Sequence, residues 1–544
     1  LGKPSMRPDV PAKVDGTAIF GMDVQLPGML YASIVHSPTI YGKVQSYDAT
    51  KAMAVKGVRF VLKTERVFFH GPYSDSGGFD QKLRGKAEAI AVVSESYWSA
   101  LKAKKLIQVS WNALGFGETA TEQYFNQAKA AALHEGNEYK DAKVGDFAKA
   151  LQLSDYKVQG TYQTPFMSHA PMEPCNATVF VQGDQVEVWA PIQGPDGLVN
   201  DLATYLGVKR ENIKINVTFM GGAFGRKAVF DFVMQAANLS KQVNAPVKVI
   251  WTREDDIQQG PYRPGMISAM QGGLDKDGNV LAFEHRLNGA SIMASVFKAD
   301  MRNNPDPWAG EGINLEDSPY AFPARRNSFN WIDPQMPVLW WRSVYASTNV
   351  FAQESFMDEL AAEGEKDPLD LRLHLLRDSP KFVAVLNKLA EISDYRAKRK
   401  QGVSIGIAIA RSFASIVAHA VVVDKQKAGV KIKHVYSVID CGFPLNPDNI
   451  KAQVESNIVY GLSAAVCNQI TRTHGKTDQS NFHEYTVLRQ GEIPASTIFV
   501  MPSQDEPGGV GEPGLPPIAP ALCNAVFLAT GKRVRTLPFD LSSI

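Results

Sequence analysis

Near its C-terminal end the chain reads Gly508-Gly-Val-Gly-Glu-Pro-Gly-Leu-Pro-Pro-Ile-Ala-Pro520. Glycine adds backbone freedom and proline removes an N–H donor, so neither a helix interior nor a central strand can run through such a stretch. It has to be a loop, and a helical pattern follows it as far as Thr530. The loop carries one acid, Glu512, with almost no charge beside it. A carboxyl in a rigid, apolar loop should have a raised pKa, which suits a general base or acid. A solvent-exposed loop acid is the commoner fate of an isolated carboxylate. The density of Gly and Pro argues instead for a backbone held in one shape.

Around that loop the chain is an ordinary large globular one. Its 544 residues suggest about three or four domains. Hydrophobic residues are 44% and charged residues 21%, which excludes a disordered polymer. The net charge of +1 gives no field that would draw in nucleic acid or an anionic membrane. The four cysteines, Cys175, Cys441, Cys467 and Cys523, form no CxxC pair, which argues against a Cys-based zinc or iron–sulfur site in this chain. No HExxH and no Gly-x-Ser-x-Gly element occurs. No run of about 18 apolar residues is present. The chain opens on Leu1-Gly-Lys-Pro rather than Met, which reads as a processed chain or a piece of a longer product.

Strand-like runs occupy 29–35, 89–93, 179–189 (a hairpin turning at Gly183-Asp184), 214–219 and 247–251, with a Gly-, Ser- and Asp-rich loop at 71–78. Helical spacing marks 96–106, 230–240, 349–363 and 368–377, the last opened by Asp367-Pro368. From about residue 402 the pattern restarts, with strands at 403–410, 418–423 and 435–439 and a helix at 449–465.

Three more elements could carry chemistry. Met220-Gly-Gly-Ala-Phe-Gly-Arg-Lys227 sets a Gly cluster between a strand and a helix, where backbone N–H groups can approach an anion or oxo group. It fits neither a P-loop nor GxGxxG, and a plain tight turn is an equal alternative. In Trp340-Trp-Arg-Ser-Val344, Arg342 could bind an oxo group or phosphate, or could pair with one of the acids at 354–359. Asp440-Cys-Gly, followed by Asn446-Pro-Asp448 and Gln453, could be a strand end facing a cofactor or an ordinary strand–turn–helix. His169 and His483 read as structural rather than metal ligands.

Taken in order, these elements resemble the molybdenum-binding large subunit of the xanthine dehydrogenase/aldehyde oxidase family. Within it they are similar to the branch of isoquinoline 1-oxidoreductase β-subunits and membrane-associated aldehyde dehydrogenase large subunits. The likeness runs from Pro11-Ala-Lys-Val-Asp-Gly-Thr-Ala18 and Leu26-Pro-Gly-Met-Leu-Tyr-Ala32 through His169-Ala-Pro-Met-Glu-Pro174, Gln193-Gly-Pro-Asp196, the Gly-Gly-Ala-Phe-Gly loop, Trp251-Thr-Arg-Glu-Asp255 and Trp341-Arg-Ser-Val344. It ends in Gln479-Ser-Asn-Phe-His483, Gly509-Val-Gly-Glu-Pro513 and Ala529-Thr-Gly-Lys-Arg533.

The resemblance implies an α+β fold: an α/β hammerhead domain over residues 1–115, then two molybdopterin-binding α/β domains over 116–380 and 381–544. It implies a molybdenum–molybdopterin cytosine dinucleotide cofactor whose metal takes no protein ligand. Phe224 and Gly225 would lie beside the metal's oxo group, with Gly222 and Ala223 of the same loop also binding the cofactor, Gln193 would donate to the apical oxo, and Arg342 would sit near the substrate and pterin side. Gln453 matches a pterin contact, although the usual Glu-Gly after it is Glu455-Ser456 here. Gly509, Val510 and Gly511 lead into Glu512, the expected catalytic base. A Gly-x-x-Glu-x-Gly-Gln-Gly cofactor segment of most of the family is missing between the two halves, which implies that an upstream piece supplies it.

The implied activity is oxidation of an aldehyde to a carboxylic acid with water as oxygen source. Hydroxylation of an N-heteroaromatic ring such as isoquinoline is the alternative, and a non-catalytic scaffold or a small-anion binding protein are rivals from other classes. Electrons would leave to a small subunit with two [2Fe–2S] clusters, with room for a membrane-anchored cytochrome subunit that carries haem c. The expected location is the periplasm, with membrane association through a partner; the cytoplasm is the alternative.

Overall fold

The computed structural model describes residues 1–67, 86–297 and 299–544, so the Gly-rich loop expected at 71–78 lies outside the described residues. The chain is α+β and is organised by three large sheets. The first has seven strands in the order Ile213–Val217, Gln185–Ala190, Asn176–Gln182, Val247–Ile250, Leu30–His36, Lys86–Ser94, Val58–Val67. Three of these strands come from the first 115 residues and four from residues 176–250. The two groups are joined by parallel pairing of Leu30–His36 with Val247–Ile250. Helix Asp231–Val243 covers this sheet, and Val, Ala and Leu side chains from both fill the space between them.

The second sheet has five strands, in the order Asn137–Glu138, Ala324–Trp331, Val280–Gly289, Met266–Leu274, Tyr156–Thr164. The third has four: Ser404–Ser412, Ser415–Gln426, Gly429–Asp440 and Ala495–Val500. Helix Ala346–Glu363 lies between the second and third sheets. It is buried on all sides, and one apolar core runs from Met270 and Phe283 through Phe351, Phe356 and Leu360 to Ile405, Val417 and Leu522. A helix so enclosed must answer for every charge it carries. Its Glu354 is met by Arg372 at 2.8 Å, its Asp358 by Arg533 at 2.6 Å, and its Glu359 by Arg535. The acids at 354–359 are therefore taken, and Arg342 is free for other partners.

The expected helices appear, and those at 97–104, 368–375 and 447–466 carry side-chain caps. Ser96 caps Tyr97–Lys104, and the Asp367 carboxylate accepts from the N–H groups of Leu369 and Asp370 at the start of Pro368–Leu375. The loop that begins at Gly508 ends at Pro517, three residues short of the expected 520: helix Ile518–Thr530 takes Pro520 into its first turn, where the missing N–H costs no intrahelical bond.

Candidate active site

Four segments meet here: the Gly loop 220–225, the turn 340–345, the start of helix Pro447–Val466 and the loop 508–514. The Gly loop does not sit on a helix N-terminus. A 3-10 turn, Arg226–Ala228, intervenes, and the α-helix begins only at Asp231, whose carboxylate is already bound by Arg66 and Arg226. The loop is held from below instead. Glu173 Oε2 accepts from the Gly221 N–H at 2.8 Å and from Lys227 Nζ at 2.9 Å, while Asn176 donates to Oε1 at 3.1 Å. Lys227 is fully buried. Removing one partner of such a pair strands a buried charge, so Lys227→Met should destabilise the protein by about 3–5 kcal/mol, read as a shift of the denaturation midpoint.

The fixed loop adopts backbone angles that side chains rarely take: φ is 92° at Gly222, 55° at Phe224 and 104° at Gly225. Gly225 packs against the Trp340 carbonyl so closely that a Cβ there would lie 1.9 Å from that oxygen. The Trp340 carbonyl is itself held by His169 Nε2, which donates to it at 2.8 Å; burial drives the His169 pKa down to about 3, so the ring is neutral. Phe224 stacks on Tyr460 at 4.5 Å and Tyr460 on Trp341 at 4.8 Å. The Arg342 N–H donates to the Phe224 carbonyl at 3.1 Å, tying the Gly loop to the 340–345 turn.

The Arg342 side chain bridges in the other direction. It donates from Nε to the Gly511 carbonyl at 2.8 Å, from Nη1 to Ser456 Oγ at 2.9 Å and from Nη2 to Gln453 Oε1 at 3.2 Å. Its planar fork thus clamps the Glu512 loop to helix Pro447–Val466. Ser456, the departure from the family's usual glycine, supplies one arm of that clamp, which the motif alone does not suggest.

Glu512 follows directly. The Ser343 N–H donates to Oε2 at 2.7 Å and Ser343 Oγ donates to the Glu512 carbonyl at 2.8 Å. Oε1 accepts no hydrogen bond among the described residues. Burial pushes the Glu512 pKa up, opposed by the Ser343 N–H and the Arg342 charge. The loop is as rigid as its composition requires. Gly508 N–H donates to Cys441 O at 2.9 Å, Gly509 N–H to Phe413 O at 2.8 Å, Ser415 Oγ to Gly509 O at 2.6 Å, and His419 to Gly514 O at 2.6 Å.

Gln193 joins the Gly loop through its N–H, which donates to Lys227 O at 3.0 Å. The sequence-predicted residues Gln193, Gly222, Ala223, Phe224, Gly225, Arg342, Gln453, Gly509, Val510, Gly511 and Glu512 are therefore linked by short contacts into one region. A further acid escaped the sequence reading. Glu311 accepts from the Tyr345 N–H at 3.4 Å, and its pKa is pushed up to about 8, first by burial and then by the neighbouring Asp317, Glu512 and Asp306. The signal was present: Glu311 stands between Gly310 and Gly312, as Glu512 stands after Gly511.

What the region can hold follows from its unpaired donors. Among the described residues, the backbone N–H groups of Gly222, Ala223, Phe224 and Gly225 donate to no protein atom, nor do those of Val510, Gly511 and Glu512. The Gln193 side-chain oxygen is buried without a partner. Of these seven residues only Ala223 is buried, so most of the N–H groups are open to water or a ligand, whereas a buried orphan such as the Gln193 oxygen normally has a partner; together they offer a place for a ligand rich in oxygen and nitrogen. No group of three His, Cys, Asp or Glu side chains placed to hold a metal occurs among the described residues. A molybdenum–molybdopterin cofactor fits: its metal is chelated by the pterin, and the protein would hold the group through N–H donors and the Gln193 amide.

Models of the molybdopterin cofactor-binding domain match residues 132–376 and 387–494, together about two thirds of the chain. The beta subunit of isoquinoline 1-oxidoreductase from Brevundimonas diminuta is 28% identical over 99% of this chain and 68% of its own length. The membrane-bound aldehyde dehydrogenase [pyrroloquinoline-quinone] of Gluconacetobacter polyoxogenes is 28% identical over 97% of this chain and 70% of its own. A nicotinate dehydrogenase subunit of Pseudomonas putida is 27% identical over the whole of this chain and 46% of its own. In fold, the chain superposes on quinoline 2-oxidoreductase from Pseudomonas putida 86 with a TM-score of 0.82 at 15% identity, covering 99% of this chain and 97% of that one. The matched cofactor-binding domains, the relatives and the fold agree: the chain belongs to the molybdopterin-dependent oxidoreductases of the xanthine dehydrogenase/aldehyde oxidase family, as a molybdenum-binding large subunit.

Proposed function

We propose that this chain catalyses the oxidation of an aldehyde to a carboxylic acid with water as the oxygen source. The observation that carries the reading is the Glu512 carboxyl, with one oxygen fixed by Ser343 and the other free, in a region whose two loops offer unpaired N–H groups. When bound, the molybdenum cofactor supplies the two-electron oxidation. The chain's own part is proton handling and positioning: Glu512 Oε1 takes the proton that the water-derived oxygen sheds as it attacks the carbon, and Ser343 holds the carboxyl in place. Arg342 fixes the loop and tempers the charge.

Glu512 must be ionised to accept a proton. Turnover should therefore rise with pH through its pKa, with the inflection above the ordinary glutamate range of about 4.3. A pH–rate profile of the purified complex checks this, and an inflection at or below that range would count against a buried base.

Hydroxylation of an N-heteroaromatic ring is the second reading, favoured by the names of the isoquinoline and quinoline enzymes among the similar proteins. A panel of aldehydes and N-heterocycles offered to the molybdenum-loaded complex separates the two. Turnover of neither, with molybdenum present, would leave the scaffold and anion-binding readings. We further propose the cytosine dinucleotide form of the cofactor, a small [2Fe–2S] partner, a haem c partner on the membrane, and a periplasmic rather than cytoplasmic site. The chain's low cysteine count supports electron acceptors outside it. No helix of the described residues is long and apolar enough to cross a membrane.

A further inference from the structure

Helix Pro447–Val466 turns Gln453, Ser456 and Tyr460 toward the site, and their spacing of three and four places them on one helix face. Gln453 and Ser456 are taken by Arg342. Tyr460 has no part in the mechanism above, yet two aromatic rings stack on it. Phe224 does so with centroids 4.5 Å apart and planes at 26°, and Trp341 at 4.8 Å and 18°. The Arg342 guanidinium stands 5.8 Å from the centre of the Tyr460 ring and 5.9 Å from that of Phe224. The Tyr460 hydroxyl donates to the His169 carbonyl at 2.8 Å, and the His169 ring holds the Trp340 carbonyl against which Gly225 packs. Tyr460 therefore reaches the Gly loop by two routes, through the Phe224 ring and through His169.

Phe224 needs such support. Its φ of 55° lies in the left-handed region, which a bulky L-residue keeps only where its surroundings hold it there. Its carbonyl is tied by the Arg342 N–H, while its own N–H has no protein partner among the described residues. The ring is the remaining handle. It packs against Gly222, where an added Cβ would stand 3.2 Å from it, and it stacks on Tyr460. A stack of two planes fixes both where a ring lies and how it is turned, which an aliphatic neighbour does not.

We propose that Tyr460 is a positioning residue of the cofactor cradle: its ring holds Phe224 in the left-handed conformation that leaves the Phe224 and Gly225 N–H groups free for the molybdenum cofactor. The inference rests on the cradle described above and is independent of the choice of substrate.

The test reads molybdenum rather than turnover. Loaded complexes of the wild type, Tyr460→Phe, Tyr460→Leu, Phe224→Leu and the double variant of the last two are dialysed, and their metal content is followed by elemental analysis. One stacked aromatic pair shifts an equilibrium about 2- to 10-fold. Tyr460→Leu and Phe224→Leu should each lose molybdenum faster than the wild type by about that factor. Tyr460→Phe keeps the ring and gives up only the hydroxyl bond to His169, so it should retain molybdenum like the wild type. In the double variant the two effects should not multiply, because Tyr460 has nothing left to act on once the Phe224 ring is gone. A residue that merely packed its helix would multiply them.

Loss from Tyr460→Leu at the wild-type rate overturns the proposal. So does equal loss from Tyr460→Phe and Tyr460→Leu, and so does multiplied loss in the double variant. Tyr460→Met, which fills the space with a flexible chain, replaces Tyr460→Leu if that variant does not fold, and the same outcomes apply. Glu512→Gln keeps this claim apart from the proposed function. If it abolishes turnover while Tyr460→Leu keeps its molybdenum, only this inference falls. If it turns over normally, the proposed function falls, and the loss rates still report on Tyr460.

Discussion

Glu512→Gln should lower turnover by about 10²–10⁴-fold, the usual contribution of a positioned general base, while molybdenum content stays at the wild-type level. The reasoning is geometric. The amide oxygen of glutamine can still accept from the Ser343 N–H, and the Ser343 hydroxyl still reaches the backbone carbonyl. The loop is further pinned at Gly508, Gly509, Gly511 and Gly514 by bonds that do not involve the side chain. Shape is therefore preserved and only the basic oxygen is lost. Elemental analysis and a rate measurement on the same preparation check both halves. Turnover within a few-fold of wild type would remove Glu512 from the chemistry.

Gly225→Ala should cost the protein its cofactor. The new Cβ would stand 1.9 Å from the Trp340 carbonyl oxygen, which is backbone and cannot rotate away. Both sides are tied down, by the His169 bond to that oxygen and by the Arg342 N–H bond to Phe224 O. The φ of 104° adds a penalty of order 1–3 kcal/mol for any L-residue. The loop must therefore move, and its row of unpaired N–H groups moves with it. Gly183→Ala is the control. Its φ of 62° is also left-handed, but nothing lies within 4 Å of the added methyl. Molybdenum content should collapse in Gly225→Ala and stay near wild type in Gly183→Ala. Equal retention in both would show that the Gly loop is not part of the cradle.

Much of the site could be read from the sequence because its devices are local. A loop dense in Gly and Pro, a Gly cluster after a strand, and an Arg after two tryptophans each state their geometry within a few residues. What could not be read depends on partners far along the chain. Whether Arg342 meets an acid or a carbonyl is decided by Arg372, Arg533 and Arg535, which occupy the acids first. Strand Met266–Leu274 went unnoticed for a related reason. It lies at the interior of its sheet with eight of its nine residues buried, so it shows no alternation, and its Gly272-Gly273 pair reads as a turn. Glu311 was passed over because its loop has no repeat or motif, only the company of glycines.

The parallel pairing of Leu30–His36 with Val247–Ile250 bears on how the molecule can be divided. The leading hundred residues are not an appendage: their strands form one flank of a sheet whose other flank arises from residues 176–250. Severing the backbone between them would free neither piece, since each would expose a raw edge whose natural cover is the other. Any rearranged or split version of this polypeptide must therefore bring both pieces back together before the floor beneath the Gly loop exists at all.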